Sequence, residues 1–221
     1  MSAPAACLFD LDGLLLDTEP LHGKAWAAAA KHFGSELSET QLKQLRGRRR
    51  QDCAEQVIRW LERSITPEDL LAVQQPFARR LLAGAPAMPG AEALLRTCWR
   101  LDIAMALVTS SAEEAVRRKC EPHPWLTLIE TRVLGDDPDL RQGKPAADPF
   151  LLAADRLGVD VRACWALEDS LAGSRAALAA GCRLWLLDAD NSGIDSAQLP
   201  QGTWQKILHL NEVEHALIGA T

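Results

Sequence analysis

Tyrosine is absent from the 221 residues, and the aromatic complement consists of seven tryptophans and four phenylalanines. Trp26, Trp60, Trp99, Trp125, Trp165 and Trp185 fall mostly within helical or apolar patterns, so core packing is the work expected of them. No apolar run approaches the ~18 residues of a membrane span. Met1-Ser2-Ala3-Pro4 is not a basic region followed by an apolar one, so a cytoplasmic protein is expected. Positive charge is in deficit, with 24 Lys and Arg against 30 Asp and Glu and a net charge of −6. That balance argues against nucleic acid or an anionic membrane as a partner, since both require a basic surface. Paired cysteines are lacking too: Cys7, Cys53, Cys98, Cys120, Cys164 and Cys182 are scattered, with no CxxC site and no disulfide framework. Cys7, Cys164 and Cys182 sit in or beside apolar runs and read as small hydrophobes.

What is present is organised around one stretch. The apolar run Ala5 to Phe9 ends in Asp10-Leu11-Asp12-Gly13, a buried strand that delivers two carboxylates at its C-terminal tip. Strand side chains alternate, so Asp10 and Asp12 start on the same side, and Gly13 lets the backbone turn sharply beyond them. In an open parallel sheet, ligands sit outside the carboxyl ends of the strands, where this pair would lie. Two such acids bind a cation or divide acid and base labour. An acidic strand-to-helix turn, with Asp17 or Thr18 as a helix N-cap, explains the same residues at this point.

Residues from about 19 to 83 read as all-helical. Pro20 opens an Ala-rich helix, His22 to Phe33, closed by Gly34; Ser38 with Gln41 is a capping-box pattern; Thr66-Pro67-Glu68-Asp69 supplies a cap, a proline and first-turn acids. Gly84 to Gly90 is a cluster of breakers. From there helices and apolar strands alternate: helix 91–101, strand 103–108, helix 112–120, strand 132–134, helix 148–158, strand 163–167, helix 171–180, strand 183–187, strand 206–210 and a helix from 212. Continuous apolar strands alternating with helices predict an α/β fold with a doubly wound parallel sheet. The expected division is a core of residues 1–17 and 88–221 with an inserted all-helical cap of residues 18–87.

Other polar residues fall at the strand ends. Thr109-Ser110-Ser111 places hydroxyls after the strand at 103–108 and opens a helix at about 111, either an anion cradle or ordinary capping by Ser110 or Ser111. Lys144, in Gly143-Lys144-Pro145, closes an irregular stretch and offers one ammonium to the strand tips. Glu168-Asp169-Ser170 repeats the acidic strand tip on a second strand. Two acidic tips suggest a hard divalent cation held by oxygens, and Mg²⁺ suits a small set of carboxylates better than Ca²⁺.

Asp10-Leu11-Asp12-Gly13, Thr109 after a strand, Gly143-Lys144-Pro145, and Glu168-Asp169-Ser170 after a later strand, in that order, resemble the haloacid dehalogenase-like (HAD) phosphatase superfamily. The helical insertion after the first motif resembles the cap of the β-phosphoglucomutase-like branch, a Rossmann-like core with an added helical domain. Met88 to Glu92, Thr109 to Ser111 and Leu134 to Pro138 are similar to the pseudouridine-5′-phosphatase-like group. The resemblance implies that Asp10 attacks phosphorus to form an aspartyl-phosphate, and that Asp12 protonates the leaving alcohol and then activates water. It implies that Thr109, Ser110 and Lys144 hold the phosphoryl oxygens. Asp10, the backbone carbonyl of Asp12, and Asp169 are implied as Mg²⁺ ligands, with Glu168 in the outer shell or reaching through water.

The same resemblance implies a small phosphorylated metabolite as substrate, a nucleotide or sugar phosphate, and His22 and Arg50 as cap contacts for it. Arg46, Arg48, Arg49 and Arg50 form a basic run that could equally be a solvated helix start. A haloacid dehalogenase would lack the acid at position 12. A sugar phosphomutase is the alternative activity; where that branch has an Asn beyond the second motif this chain has Glu113, which would repel a second phosphate if it faced the site and so favours hydrolysis. A monomer is the default expectation.

Overall fold

The structure, a computed structural model, describes residues 2–45, 50–61, 63–189, 196–200 and 202–220. The chain separates into two compact units, Asp17–Pro86 on one hand and Met1–Leu16 with Ala87–Thr221 on the other.

The smaller unit is helical: α1 (Glu19–His32), α2 (Glu39–Gln44), α3 (Arg50–Leu61) and α4 (Pro67–Leu82). Its core gathers Trp26, Ala29 and Ala30 of α1, Cys53, Ala54, Val57 and Leu61 of α3, and Leu70 of α4. Small alanines on α1 let the neighbouring helices approach closely. Thr66 caps α4 in a complete capping box: its hydroxyl accepts from the Asp69 amide at 3.1 Å, and the Asp69 carboxylate accepts from the Thr66 amide at 3.3 Å. Ser38 and Gln41 make the same reciprocal exchange ahead of α2, at 2.8 and 3.2 Å. Arg46, Arg48 and Arg49, three members of the basic run, lie outside the described residues.

The larger unit carries α5 (Ala91–Arg100), α6 (Glu113–Cys120), α7 (Asp148–Leu157), α8 (Leu171–Ala180) and α9 (Asn211–Ile218). Its strands are β1 (Ala6–Phe9), β2 (Ala104–Val108), β3 (Thr131–Val133), β4 (Cys164–Glu168), β5 (Arg183–Leu187) and β6 (Trp204–Ile207). They form one parallel sheet in the order β3-β2-β1-β4-β5-β6. The fold is therefore the doubly wound α/β class expected from the sequence. Both faces of the central strands are covered, which explains their unbroken apolar runs. On one face Ala6, Leu8, Ala106, Val108, Ala166 and Leu184 pack with Phe150 and Ala153 of α7 and Ala176 and Ala177 of α8. The alternate residues Trp165 and Trp185 bring their rings to 5.1 Å.

Because strand order runs outward in both directions from β1 and β4, the tips of these two strands flank the point where the winding reverses. A crevice opens at such a point, and residues immediately after β1 and β4 border it. Those residues are Asp10 and Asp169.

Three expectations are corrected. The last strand is Trp204–Ile207, not 206–210, because an edge strand needs only one covered side: Gln205 and Lys206 are exposed and Ile207 is buried. Helix α6 starts at Glu113, one residue later than the expected 112. Trp99 is 65 % exposed, since α5 buries Ala91, Leu94, Leu95 and Cys98 and Trp99 stands off that stripe. Among the described residues no helix is long and apolar enough to cross a membrane.

Candidate active site

Strand β1 carries Asp10 to the crevice by extending its ladder one residue beyond its end: the Asp10 amide donates to the Leu167 carbonyl of β4 at 3.1 Å. The chain then turns back tightly, with the Gly13 amide donating to the Leu16 carbonyl at 2.8 Å and the Leu16 amide to the Leu11 carbonyl at 2.9 Å. Gly13 adopts φ +86°, and a Cβ built there would lie 1.8 Å from Asp169 Oδ2. Position 13 is glycine for two physical reasons, the left-handed backbone and the carboxylate that occupies the space a side chain would need.

Lys144 ties three strand tips together. Its Nζ donates to Asp10 Oδ1 at 2.6 Å, to the Val108 carbonyl at 2.8 Å and to Glu168 Oε1 at 2.5 Å, which uses all three of its donors. Its side chain is 5 % exposed. Burial disfavours the charged ammonium, but the charges of Asp10 and Glu168 outweigh it and hold the group above the ordinary lysine range. Burial likewise raises Asp10, with the Asp12 charge adding to the effect and Lys144 opposing it. Glu168, fully buried, is pushed up to about 7, first by burial and then by Asp10, against the pull of Lys144 and Ser170.

Glu168 has both oxygens engaged, Oε1 by Lys144 and Oε2 by the Ser170 hydroxyl at 3.1 Å. Helix α8 presses against it at Gly173, where a Cβ would stand 2.0 Å from the Glu168 carboxyl. Ser170 also caps α8 by accepting from the Gly173 amide at 3.0 Å. One oxygen each from Asp10, Glu168 and Asp169 lie within 4.8 Å of one another. Two of these three carboxylates share the Lys144 ammonium, and the donors are all hard oxygens. This group of residues fits a divalent cation.

On the β2 side, Thr109 is buried and its amide donates to the Val133 carbonyl at 3.0 Å, while its hydroxyl accepts from the Ser111 amide at 3.1 Å. Ser110 is exposed. Its carbonyl meets the neighbouring loop so closely that a Cβ on Gly135 would fall 2.1 Å from it. Neither Ser110 nor Ser111 caps α6; Ala112 is the N-cap residue, and the Glu113 amide donates to Asp136 Oδ1 at 2.9 Å. That first-turn amide of α6 is therefore already committed to a carboxylate.

The structure thus brings Asp10, Lys144, Glu168 and Asp169 together, with Asp12 and Thr109 on the adjoining loops. His22 and Arg50 belong to the other compact unit, His22 half-buried on α1 and Arg50 exposed at the start of α3. Two partners of Asp12 were not assigned to it from the sequence. Lys119 Nζ donates to Asp12 Oδ2 at 2.5 Å, and the Ser111 hydroxyl donates to the same oxygen at 2.8 Å. Lys119 lies three residues beyond buried Val116 on the inner side of α6. A lysine on a helix's covered stripe was the available cue.

Residues 4–181 match the family model described as haloacid dehalogenase-like hydrolase. The Drosophila melanogaster protein named "Probable pseudouridine-5′-phosphatase" is 35 % identical over 182 residues, covering 80 % of this chain and 79 % of that protein. The fructose-1-phosphate phosphatase of Escherichia coli is 32 % identical over 178 residues, covering 80 % of this chain and 93 % of the relative. Among solved structures, a HAD hydrolase of family IA, variant 3, from Entamoeba histolytica superposes with a TM-score of 0.78 at 27 % identity, over 99 % of this chain and 98 % of that one.

Proposed function

The chain belongs to the haloacid dehalogenase-like hydrolases, and on that premise we propose that it is a Mg²⁺-dependent phosphomonoester hydrolase of a small phosphorylated metabolite, a nucleotide or sugar phosphate, working through an aspartyl-phosphate on Asp10. The observation that carries the proposal is the convergence of Asp10, Lys144, Glu168 and Asp169 at the β1 and β4 tips, a buried acidic group with a lysine bonded to two of its members.

In this reading Asp10 attacks phosphorus: its oxygen forms a P–O bond while the bond to the substrate alkoxide breaks with its electron pair. Asp12 supplies the proton that leaves with the alcohol. A water then gives its proton to Asp12 and forms the new P–O bond, and the Asp10 carboxylate departs with the electrons of the acyl-phosphate bond. Dividing hydrolysis into two transfers replaces one hard step with two easier ones. In this reading Thr109 and Ser110 would orient the phosphoryl oxygens, and the Lys144 ammonium would offset their charge.

Asp10, Asp169 and the Asp12 backbone carbonyl would hold Mg²⁺. When bound, the ion supplies positive charge against the repulsion between a carboxylate nucleophile and a phosphate dianion. Glu168, with both oxygens already accepting hydrogen bonds, would act on that set from outside, by holding Lys144 and through water. The roles of His22 and Arg50, and of residues 18–87 as a cap, rest on the family resemblance alone. A cytoplasmic location accords with six free cysteines, a small metabolite rather than nucleic acid or membrane accords with the net charge of −6, and a monomer is the default.

The two relatives above are named as a probable pseudouridine-5′-phosphatase and a fructose-1-phosphate phosphatase, which favours hydrolysis over phosphate migration. The test is phosphate release from a panel of nucleotide, sugar and polyol monophosphates, with MgCl₂ and with chelator. Metal-dependent release from one or a few compounds is expected. Isomerised sugar phosphate with little release would replace the hydrolase by a mutase.

A further inference from the structure

Helix α6 has eight residues and buries two of them, Val116 and Lys119, one turn apart on the same side. Position 119 is where an apolar residue would normally continue the stripe. A lysine stands there instead, with a side chain only 4 % exposed. Removing an ammonium from water is costly unless it is paired. Its Nζ donates to Asp12 Oδ2 at 2.5 Å and to the Ser111 hydroxyl at 2.8 Å. The Ser111 hydroxyl donates in turn to the same Asp12 oxygen at 2.8 Å. The three groups form a closed triangle around one carboxylate oxygen.

We infer that Lys119, with Ser111, is a positioning residue for Asp12: it fixes the carboxyl by Oδ2 so that the group stands at one orientation for proton transfer to the leaving oxygen. The inference rests on the reading of Asp12 as the general acid. Two points support it over a purely structural ion pair. First, the acids at the site have separate lysine anchors, Lys144 for Asp10 and Glu168 and Lys119 for Asp12. A single shared cation would hold both aspartates to one place, whereas separate anchors from different segments of the chain set their orientations independently. Second, Ser111 stands one residue ahead of the α6 N-cap, Ala112, and its hydroxyl donates to Asp12. The donors converge on a side chain that is itself 24 % exposed. Effective acid catalysis requires a proton held within hydrogen-bond reach of the acceptor, so fixing the rotamer is a direct contribution to rate.

The experiment compares wild type, Lys119→Met, Ser111→Ala, Asp12→Asn and the Lys119→Met/Asp12→Asn pair on p-nitrophenyl phosphate and on glycerol phosphate in saturating MgCl₂. A nitrophenolate leaves without help; an alkoxide needs the proton. Lys119→Met is expected to lower kcat/KM for glycerol phosphate at least about tenfold more than for p-nitrophenyl phosphate, a fraction of the ~10²–10⁴ that acid catalysis contributes. In the Asp12→Asn background the same substitution should cost less than about twofold, because its object is gone. Equal losses on the two substrates, or an undiminished loss in the Asp12→Asn background, would overturn the positioning role. If Asp12→Asn discriminates between leaving groups and Lys119→Met does not, this inference falls alone; if Asp12→Asn does not discriminate, the acid assignment falls with it. Should Lys119→Met fail to fold, Ser111→Ala carries the same comparison, with the same direction expected and equal losses again contradicting it.

Discussion

Lys144 Nζ stands 2.6 Å from Asp10 Oδ1 and binds Glu168 at the same time, so a single ammonium joins the tips of β1 and β4. Lys144→Ala would leave two buried carboxylates facing each other. Breaking a buried pair by removing one partner typically costs about 3–5 kcal/mol, and the variant should lose both stability and phosphatase activity. Lys144→Arg should not restore activity, because a planar fork cannot reproduce three donors at these positions. Denaturant unfolding and phosphate release check both points; full activity in either variant would contradict the role.

Gly13→Ala should withdraw a carboxylate from the site. The new Cβ would overlap Asp169 Oδ2, and the φ of +86° adds strain of roughly 1 kcal/mol for a residue with a side chain. Asp169 must rotate away, so the MgCl₂ concentration for half-maximal activity should rise several-fold while the secondary structure measured by circular dichroism stays unchanged. An unaltered metal requirement would count against Asp169 as a ligand.

Metal binding should stabilise the protein more as pH rises. Burial, first of all, lifts Glu168 to about 7. In the metal-free protein the folded state therefore binds this proton more tightly than the unfolded chain does. Its contribution to stability is fully present below the unfolded value, ~4.3, and is lost as pH climbs through the folded one. A divalent cation needs the acids ionised and offsets that loss. The rise in Tm on replacing EDTA with MgCl₂ should therefore be larger near pH 8 than near pH 5. Equal rises at both would contradict a cation held by these carboxylates.

The thiols should be quiet. Burial pushes Cys164 to about 11 and Cys182 to about 12, and the Cys98 hydrogen bond together with burial raises Cys7 well above the ordinary thiol value. Of the six cysteines only Cys120 is not fully buried. A thiol reagent at neutral pH should modify at most one cysteine in the native protein and all six after unfolding. Rapid reaction of two or more in the native state would show that the core opens readily.

Much of this was legible in the sequence because local signals and tertiary demands agree. Ala6 to Phe9 and Cys164 to Leu167 are apolar throughout because both sheet faces are covered, and the acids follow at once because the strands end at the crevice. Disagreement produced the errors. Trp204-Gln205-Lys206-Ile207 is half polar, as an edge strand can be, so the more apolar residues after it attracted the assignment. Trp99 is a large apolar side chain one residue beyond the buried face of α5, where its type argues for the core and its position against it. Lys119 is the reverse case: in Arg117-Arg118-Lys119 it reads as one more solvated cation, and only the three-dimensional approach of α6 to the Asp12 turn distinguishes it.

The most direct test of the account is to trap the phosphoryl group. The enzyme would be mixed with a substrate found in the phosphate-release panel and MgCl₂, quenched in acid during turnover, digested, and the phosphorylated peptide identified by mass spectrometry. The account predicts an acid-stable, base-labile acyl-phosphate on Asp10, absent from Asp10→Asn, which should fold normally and release no phosphate. Label on another residue, or phosphate release by Asp10→Asn comparable to wild type, would contradict it.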